Sequence, residues 1–227
     1  MALPYYVSPE QIMQDKAEYA KKGIAKGRSL VVLEYGDGVL FVADNPSSSL
    51  NKISEIYDNI AFAGAGKYSE FENLRKAGIR HADLKGYMYS REDVTAKSLA
   101  NSYSQSIGTI FSQEVKPLEV EILVAGVSEE GKGNEIYRID FDGSINVEKG
   151  FTVIGGKFEE VKNEIKNRFS ADQPLKKAFQ MALGALEAVS SQKLPPSGVE
   201  AAVLDRKRQG RKFKRLSVAE ITEISTG

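Results

Sequence analysis

The order of strands and helices constrains the fold of this 227-residue chain more than any other feature of its sequence. Two apolar strands are predicted near residues 29 to 35 and 38 to 44, joined by a Gly-Asp-Gly turn, and the string SLVVL indicates burial on both faces. Pairs of helices, the first near 67 to 82 and 92 to 113 and the second after residue 156, separate the later strands. Those strands are predicted in the segments KISEIYD, IAFAGAG, LEVEILVAGV, EIYRIDFD, FTVIGG, VEAAVLD and RKFKRLS.

Strands that follow one another through short turns pair antiparallel, whereas a parallel sheet needs a crossover between its strands. Two sheets packed face to face, each covered on its outer side by a helix pair, would bury every apolar stripe in the chain. The sequence therefore predicts an α/β (α+β) fold, a four-layer α/β/β/α sandwich of two antiparallel sheets flanked by helix pairs. A single domain over residues 1–227 is expected, because this length and 41% hydrophobic residues suffice for one large core.

A helix is predicted to precede the first strand, from Ser8 as its N-cap to about Lys22. Pro9 suits the first helical position, and Gln11 is expected to complete a capping box with Ser8. The apolar stripe of this helix is narrow and consists of Ile12, Met13, Ala17, Ala20 and Ile24. Such a helix is expected to lie across another surface, including that of a neighbouring subunit.

Charge and composition exclude several classes of function. Lys plus Arg equals Asp plus Glu at 31 each, so no net field attracts nucleic acid or an anionic membrane. The chain has no cysteine, which excludes disulfides and thiol catalysis. His81 is the only histidine and is predicted to lie at a helix end, so neither a catalytic triad nor a histidine metal site is expected. Without a signal peptide or a long apolar run, the expected location is the cytoplasm.

Two local motifs have alternative interpretations. The segment AFAGAGKYSEF has Ala61 where a phosphate loop needs glycine and Tyr68 where it needs serine or threonine, so a tight turn is favoured. The segment DRKRQGRKFKR carries 7 basic residues against 1 acidic residue. A solvated hairpin is favoured there, because Phe213 alone could stack on a base, and a nucleic-acid-binding hairpin at 206–215 is the alternative.

Three long segments carry a resemblance to a known family. They are YYVSPEQIMQDKAEYAKKGIAKGRS, GVLFVADNPSSSLNKISEIYDNIAFAGAGKYSEFENLRKAGIRHAD and IGTIFSQEVKPLEVEILVAGV. With the order of elements, they resemble the proteasome subunits of the N-terminal nucleophile hydrolase superfamily, and specifically the α type of actinobacterial 20S proteasomes. The resemblance extends from about Tyr5 to the last helix, and it implies the same four-layer sandwich.

The resemblance also implies a noncatalytic chain. In the related β-type subunits a propeptide is cut after a glycine, and the freed threonine attacks the peptide carbonyl with its own α-amino group as base. The matching position here is Arg28, which offers no attacking oxygen, while Asp44 and Lys52 match supporting residues of that active site. The alternative is a catalytically active hydrolase that uses Ser29 after cleavage behind Arg28.

The resemblance further implies a subunit of a seven-membered outer ring in the 20S core particle, a threonine protease complex, and no cofactor or metal. The implied partners are copies of the chain, the β-type subunit, and a ring-shaped ATPase that delivers proteins tagged with a prokaryotic ubiquitin-like modifier. Residues 8–26 would be the N-terminal helix and residues 27–227 the sandwich body. The gating tail would be formed by residues 1–7, namely Met1, Ala2, Leu3, Pro4, Tyr5, Tyr6 and Val7.

Three residues are implied to dock the ATPase. In related α rings, the lysine equivalent to Lys52 lies in a pocket between neighbouring subunits and pairs with the C-terminal carboxylate of the activator's tail. A compact ammonium suits a single terminal carboxylate, and main-chain amides at glycine turns can supply further donors. Gly27 and Gly66 stand at the matching places and complete the expected site.

Overall fold

Over residues 7–128 and 133–226, which the computed structural model describes, the chain forms six α-helices and ten β-strands. The helices are α1 (Pro9–Ala25), α2 (Tyr68–Met88), α3 (Ala96–Gln113), α4 (Phe158–Lys166), α5 (Leu175–Ser190) and α6 (Val218–Ser225). The strands are β1 (Leu30–Tyr35), β2 (Gly38–Asp44), β3 (Ile53–Tyr57), β4 (Ile60–Gly66), β5 (Val120–Gly126), β6 (Glu135–Ile139), β7 (Ile145–Glu148), β8 (Phe151–Ile154), β9 (Val199–Asp205) and β10 (Phe213–Arg215).

The strands form two five-stranded sheets. The first has the order β10-β9-β2-β1-β8 and the second the order β3-β4-β5-β6-β7, and neighbouring strands pair antiparallel throughout. Three apolar cores separate four layers. One lies between the sheets, one between the first sheet and helices α4 to α6, and one between the second sheet and helices α2 and α3. The predicted α/β/β/α sandwich is therefore confirmed.

Strand β1 illustrates why both faces of the sheets are apolar. Leu30 and Val32 pack in the core between the sheets, whereas Val31 and Leu33 pack in the core under the helices. Successive side chains of a strand point to opposite faces, so a strand in the interior of four layers needs an apolar residue at every position. The string SLVVL satisfies this requirement, as the sequence predicted.

Helix α1 lies across one end of the sandwich and contacts β4 and β5. Only the C-terminal part of its apolar stripe is buried, at Ala20 and Ile24. Ile12 and Met13 are 45% and 39% exposed, so the N-terminal half of the stripe is only partly covered within the described chain. The helix ends at Ala25, three residues beyond the predicted end.

The predicted cap of α1 is half correct. The Ser8 hydroxyl oxygen accepts a hydrogen bond from the Gln11 amide at 3.2 Å, as expected. The Gln11 side chain, however, donates to Asp15 Oδ1 at 2.7 Å instead of reaching back to Ser8. The capping-box prediction was wrong in this respect, because the Gln11 side chain turns forward to make a charge-assisted bond with the Asp15 carboxylate one turn ahead, and its oxygen does not accept from the Ser8 amide.

His81 does not lie at a helix end, and that prediction was wrong. Helix α2 continues to Met88, so the exposed His81 side chain belongs to the interior of the helix. The helix passes through Gly78 because that glycine makes room for a neighbour. A Cβ built on Gly78 would lie 1.8 Å from the Tyr103 hydroxyl oxygen. Here glycine marks close packing between helices rather than a terminus.

Two short elements also differ from the prediction. Helix α3 begins at Ala96 rather than near residue 92, because the Thr95 hydroxyl oxygen caps it by accepting from the Ser98 amide at 3.1 Å. Strand β7 was not predicted; it is a partly exposed edge strand whose sequence INVE alternates apolar and polar residues over only four positions, too short a pattern to identify a strand. Within the described part of the chain, no helix is long and apolar enough to cross a bilayer.

Candidate docking site

The structure brings Lys52, Gly27 and Gly66 together from three separate segments. Lys52 is half-buried one residue before β3, and its Nζ donates to the Arg28 carbonyl oxygen at 2.8 Å. Gly27 directly precedes Arg28 in the link between α1 and β1. Gly66 ends β4 beside it, because a Cβ built on Gly27 would lie 3.1 Å from the Gly66 nitrogen. These three residues are called the Lys52 site below.

The charge of Lys52 is balanced between burial and its neighbours. Burial lowers the pKa of the Lys52 ammonium from its usual value to about 8. The carboxylates of Asp44 and Glu200 act in the opposite direction and favour the charged form, whereas Arg28 disfavours it. With a pKa of about 8, Lys52 is mainly an ammonium at neutral pH.

Arg28 stands at the position that the resemblance matches to the nucleophile of the β-type subunits. Its Nη1 donates to both carboxylate oxygens of Asp44, at 2.8 and 3.0 Å. The Arg28 side chain is 54% exposed and that of Asp44 13% exposed, so the guanidinium covers a nearly buried carboxylate. A guanidinium stays protonated and is neither a nucleophile nor a base. The arrangement therefore binds the carboxylate and offers no attacking atom at this position.

Ser29, the alternative nucleophile, has its polar groups engaged by the main chain. Its hydroxyl donates to the Gly156 carbonyl oxygen, and its own carbonyl oxygen accepts from the Asp44 amide at 3.2 Å. The helix just upstream is anchored by the buried Ala20 and Ile24. A segment packed in this way differs from a propeptide that is removed to expose a new N-terminus.

The two glycines allow close main-chain packing beside Lys52. The Gly27 amide donates to the Ile24 carbonyl oxygen at 2.8 Å, so this donor is occupied by the end of α1. Gly66 has a φ of +100°, and a Cβ there would lie 2.0 Å from the Glu119 carbonyl oxygen. Only glycine fits Gly66's conformation and packing. The glycines therefore bring the end of α1, strand β4 and the segment before β5 close together next to Lys52.

Glu200 was not predicted from the sequence, and it organises the entry to β3. Its carboxylate accepts from the Lys52 amide at 2.8 Å, from the Ile53 amide at 3.1 Å and from Asn45 Nδ2 at 2.7 Å. It also pairs with the guanidinium of Arg215. The one available signal was an acidic residue near the start of the strand VEAAVLD, whose next four residues are all apolar. A buried carboxylate requires such partners, and here four donors supply them.

The predicted gating tail falls mostly outside the described residues. Met1–Tyr6 lie outside the described residues, whereas Val7 is described and is 43% exposed. Val7 lies at one end of a surface groove of about 750 Å³ between α1 and the segment that joins α3 to β5. The groove is lined by apolar side chains that include Ile12, Tyr19 and Val115.

The basic segment at 206–215 forms the predicted hairpin between β9 and β10, and acidic residues of the same chain face it. Its ion pairs join Lys207 to Asp37, Arg211 to Glu55, Lys214 to Glu220 and Arg215 to Glu200. Basic groups that are neutralised in this way attract phosphate less than free ones. The structure thus favours the hairpin interpretation. Over residues 7–128 and 133–226, no group of three or more His, Asp or Glu residues could hold a metal ion.

Comparison with known proteins agrees with the sandwich and with the resemblance. The family model described as "Proteasome subunit" matches residues 24–204. The chain is 52% identical over 225 residues to "Proteasome subunit alpha" of Thermomonospora curvata, covering 99% of this chain and 98% of that protein. It is 54% identical over 218 residues to the protein of the same name from Streptosporangium roseum, covering 96% of this chain and 84% of the relative. A third relative of that name, from Frankia casuarinae, is 53% identical over 225 residues, covering 95% of this chain and 94% of that relative.

Proposed function

Because the chain belongs to the proteasome subunit family, as one of its α-type members, we propose that it is a noncatalytic ring subunit that gates the entry of substrate proteins and docks an ATPase ring. Seven copies form the outer ring of the 20S core particle in the cytoplasm and stack on a ring of β-type subunits. The ring admits proteins tagged with a prokaryotic ubiquitin-like modifier when an ATPase ring docks on it. The observation that carries this proposal is Arg28 bound to Asp44 beside the half-buried Lys52.

The Lys52 site suits the C-terminal carboxylate of a partner's tail. The Lys52 ammonium has three hydrogens, and the bond to the Arg28 carbonyl oxygen uses one of them. A carboxylate could accept from another, in a charge-assisted hydrogen bond within a partly desolvated setting. Gly27 and Gly66 lie next to Lys52 and would border the bound tail. In the ring, a neighbouring subunit would complete the pocket from its open side.

Helix α1 suits the interface between neighbouring subunits. Its exposed Ile12 and Met13 would gain a partner there, whereas in the isolated chain they face water. On this proposal residues 1–7 form the gating tail, residues 8–26 the helix that carries it, and residues 27–227 the sandwich body. The gate and the docking site then stand at opposite ends of the same helix.

Mass measurements on intact particles test the assembly and the absence of processing together. We expect native mass spectrometry of the chain, expressed with its β partner, to give a particle with α rings of seven copies. After denaturation, the same sample should contain no chain that begins at Ser29. A monomer under all native conditions would contradict the ring proposal. A main species that begins at Ser29 would support the hydrolase alternative.

Docking is expected to depend on pH through Lys52. The protonated amine is the form that binds a carboxylate, and the terminal carboxyl group of the tail stays ionised throughout the neutral range. With the pKa of Lys52 at about 8, the affinity for the tail should be constant below neutral pH and should fall above pH 8. The limiting slope is about tenfold per pH unit. Fluorescence anisotropy of a labelled ATPase C-terminal peptide measures this affinity between pH 6 and 9.5. An affinity that does not change over this pH range would exclude Lys52 as the group that binds the carboxylate.

A further inference from the structure

We propose that Glu200 is a positioning residue for tail docking, which fixes the main chain of Lys52 and faces the ammonium with a negative charge. This inference rests on the proposed function of the Lys52 site. It assigns a role to a buried residue of the opposite sheet. Glu200 lies on β9 in the first sheet, whereas Lys52 precedes β3 in the second.

The carboxylate of Glu200 joins the two sheets at the point where Lys52 emerges. Its Oε2 accepts from the Lys52 amide at 2.8 Å, and its Oε1 accepts from the Ile53 amide at 3.1 Å. Two successive amides bound by the two oxygens of one carboxylate fix both the position and the direction of the main chain. The Lys52 side chain therefore starts from a defined point and reaches the Arg28 carbonyl oxygen.

Two further residues hold the carboxylate and the loop before Lys52. Asn45 Nδ2 donates to Glu200 Oε2 and to the Leu50 carbonyl oxygen, both at 2.7 Å, which closes the turn between β2 and β3. Arg215 on β10 donates to Glu200 Oε1 and to the Ile53 carbonyl oxygen. Glu200 is only 8% exposed, and these contacts satisfy its charge in the interior.

The charged groups around Lys52 come from four elements. Arg28 faces it from the segment before β1, Asp44 from the end of β2, and Glu200 from β9. Arg215 on β10 is bound to Glu200. Asp44 is paired with Arg28 and Glu200 with Arg215, so each carboxylate offsets only part of the effect of burial, and both contribute to keeping Lys52 protonated in its half-buried setting.

Glutamine at position 200 tests the charge of Glu200. Glu200→Gln removes the charge, and we expect the pKa of Lys52 to fall by about one unit, the lower end of what a nearby charge does. The substitution also replaces one acceptor oxygen by an NH2 group, so one of the two main-chain amides loses its acceptor and binding should weaken at every pH. The weakening of tail binding by assembled core particles should be about fivefold larger at pH 8 than at pH 6, where Lys52 is protonated in both proteins. Equal weakening at both pH values would show that the charge of Glu200 does not act on Lys52 and would overturn that part of the proposal.

Removal of one partner of a buried ion pair is strongly destabilising, so particles with Glu200→Gln can fail to assemble. Glu200→Asp tests the positioning role in that case. Aspartate keeps the charge on a shorter side chain, so the pH profile should keep its midpoint while affinity falls about threefold or more at every pH. Wild-type affinity in this variant would contradict the positioning role. Glu187→Gln is the matched control, because Glu187 also accepts a main-chain amide, that of Leu194 at 2.9 Å, but lies on α5.

Lys52→Ala in the same assay separates this inference from the proposed function. If Lys52→Ala binds the tail peptide as tightly as the parent, the docking site itself is wrong. If Lys52→Ala loses binding while both Glu200 variants match the parent at every pH, only the role of Glu200 is wrong. The probe throughout is the labelled C-terminal peptide of the ATPase, and native mass spectrometry confirms that each variant forms the particle.

Discussion

Replacement of Lys52 by alanine is expected to weaken binding of the ATPase's C-terminal peptide to assembled core particles about thirtyfold, equivalent to about 2 kcal/mol. The lysine is half-buried, so its bond to a carboxylate is worth more than a surface ion pair, which contributes little. The loss should appear in the dissociation rate, because the interaction forms only in the docked complex. Degradation of a folded, tagged protein by the complete machine should fall in parallel.

A peptide with a C-terminal amide makes this test specific. If Lys52 binds the terminal carboxylate, amidation should weaken binding to the parent particle strongly and binding to the Lys52→Ala particle hardly at all, which is the signature of a direct pair in a thermodynamic cycle. Lys26→Ala is the matched control: Lys26 is an exposed lysine at the end of α1, two residues before Arg28. Equal effects of the two substitutions would show that general positive charge, and not Lys52, attracts the tail.

The four layers of the fold could be predicted because they depend on the apolar patterns of the strands and helices, which recur along the chain. Strand β1 is apolar at successive positions, which only an interior strand requires, and the helix pairs carry single apolar stripes. The end of α2 could not be predicted in the same way. The predicted helix stops near residue 82, whereas α2 continues to Met88, and its interior Gly78 is explained only by contact with Tyr103 on another helix. Such pairings depend on tertiary packing, which local propensity does not encode.

The candidate site was predictable only in part. From the residues alone Lys52 would be taken as a solvated lysine, and the resemblance to a family assigned it a role. Glu200 could not be found in either way, because its partner Lys52 is 148 residues away in sequence. A lone acidic residue in a strand is compatible with an exposed edge, a functional site or a buried ion pair. The choice among these depends on which strands become neighbours, and β9 lies beside β2 only after the sheet has formed.

The position of Gly27 relates the proposed gate to the proposed docking site. Gly27 follows α1 directly, its amide is bound to Ile24 in the last turn of that helix, and its carbonyl oxygen accepts from the Gly156 amide at 2.9 Å. A tail that binds between Lys52 and Gly27 would thus contact the C-terminal end of the helix whose other end leads to residues 1–7. A helix moves as a rigid rod over such a length, so a displacement at one end is transmitted to the other.

Deletion of residues 1–7 is expected to raise the hydrolysis of short peptides by core particles severalfold in the absence of the ATPase. The tail is apolar and aromatic, with the sequence MALPYYV, and seven copies converging on one axis would close an opening by packing on one another. Seven residues per copy would make only a few such contacts, so the local stability of the closed gate would be low and a docked partner could open it. Initial rates with a fluorogenic peptide measure the effect.

The same particles with the ATPase bound provide the decisive comparison. If the tail is a gate, docking opens the parent particle, and the parent and the deletion variant should then hydrolyse the peptide at similar rates. If the deletion instead activated the β subunits directly, the deletion variant would still hydrolyse the peptide faster than the parent when the ATPase is bound. Val218→Ser serves as the control, because it removes an apolar residue that is 54% exposed on α6 without shortening the tail. Unchanged basal rates after the deletion would show that residues 1–7 do not close the pore.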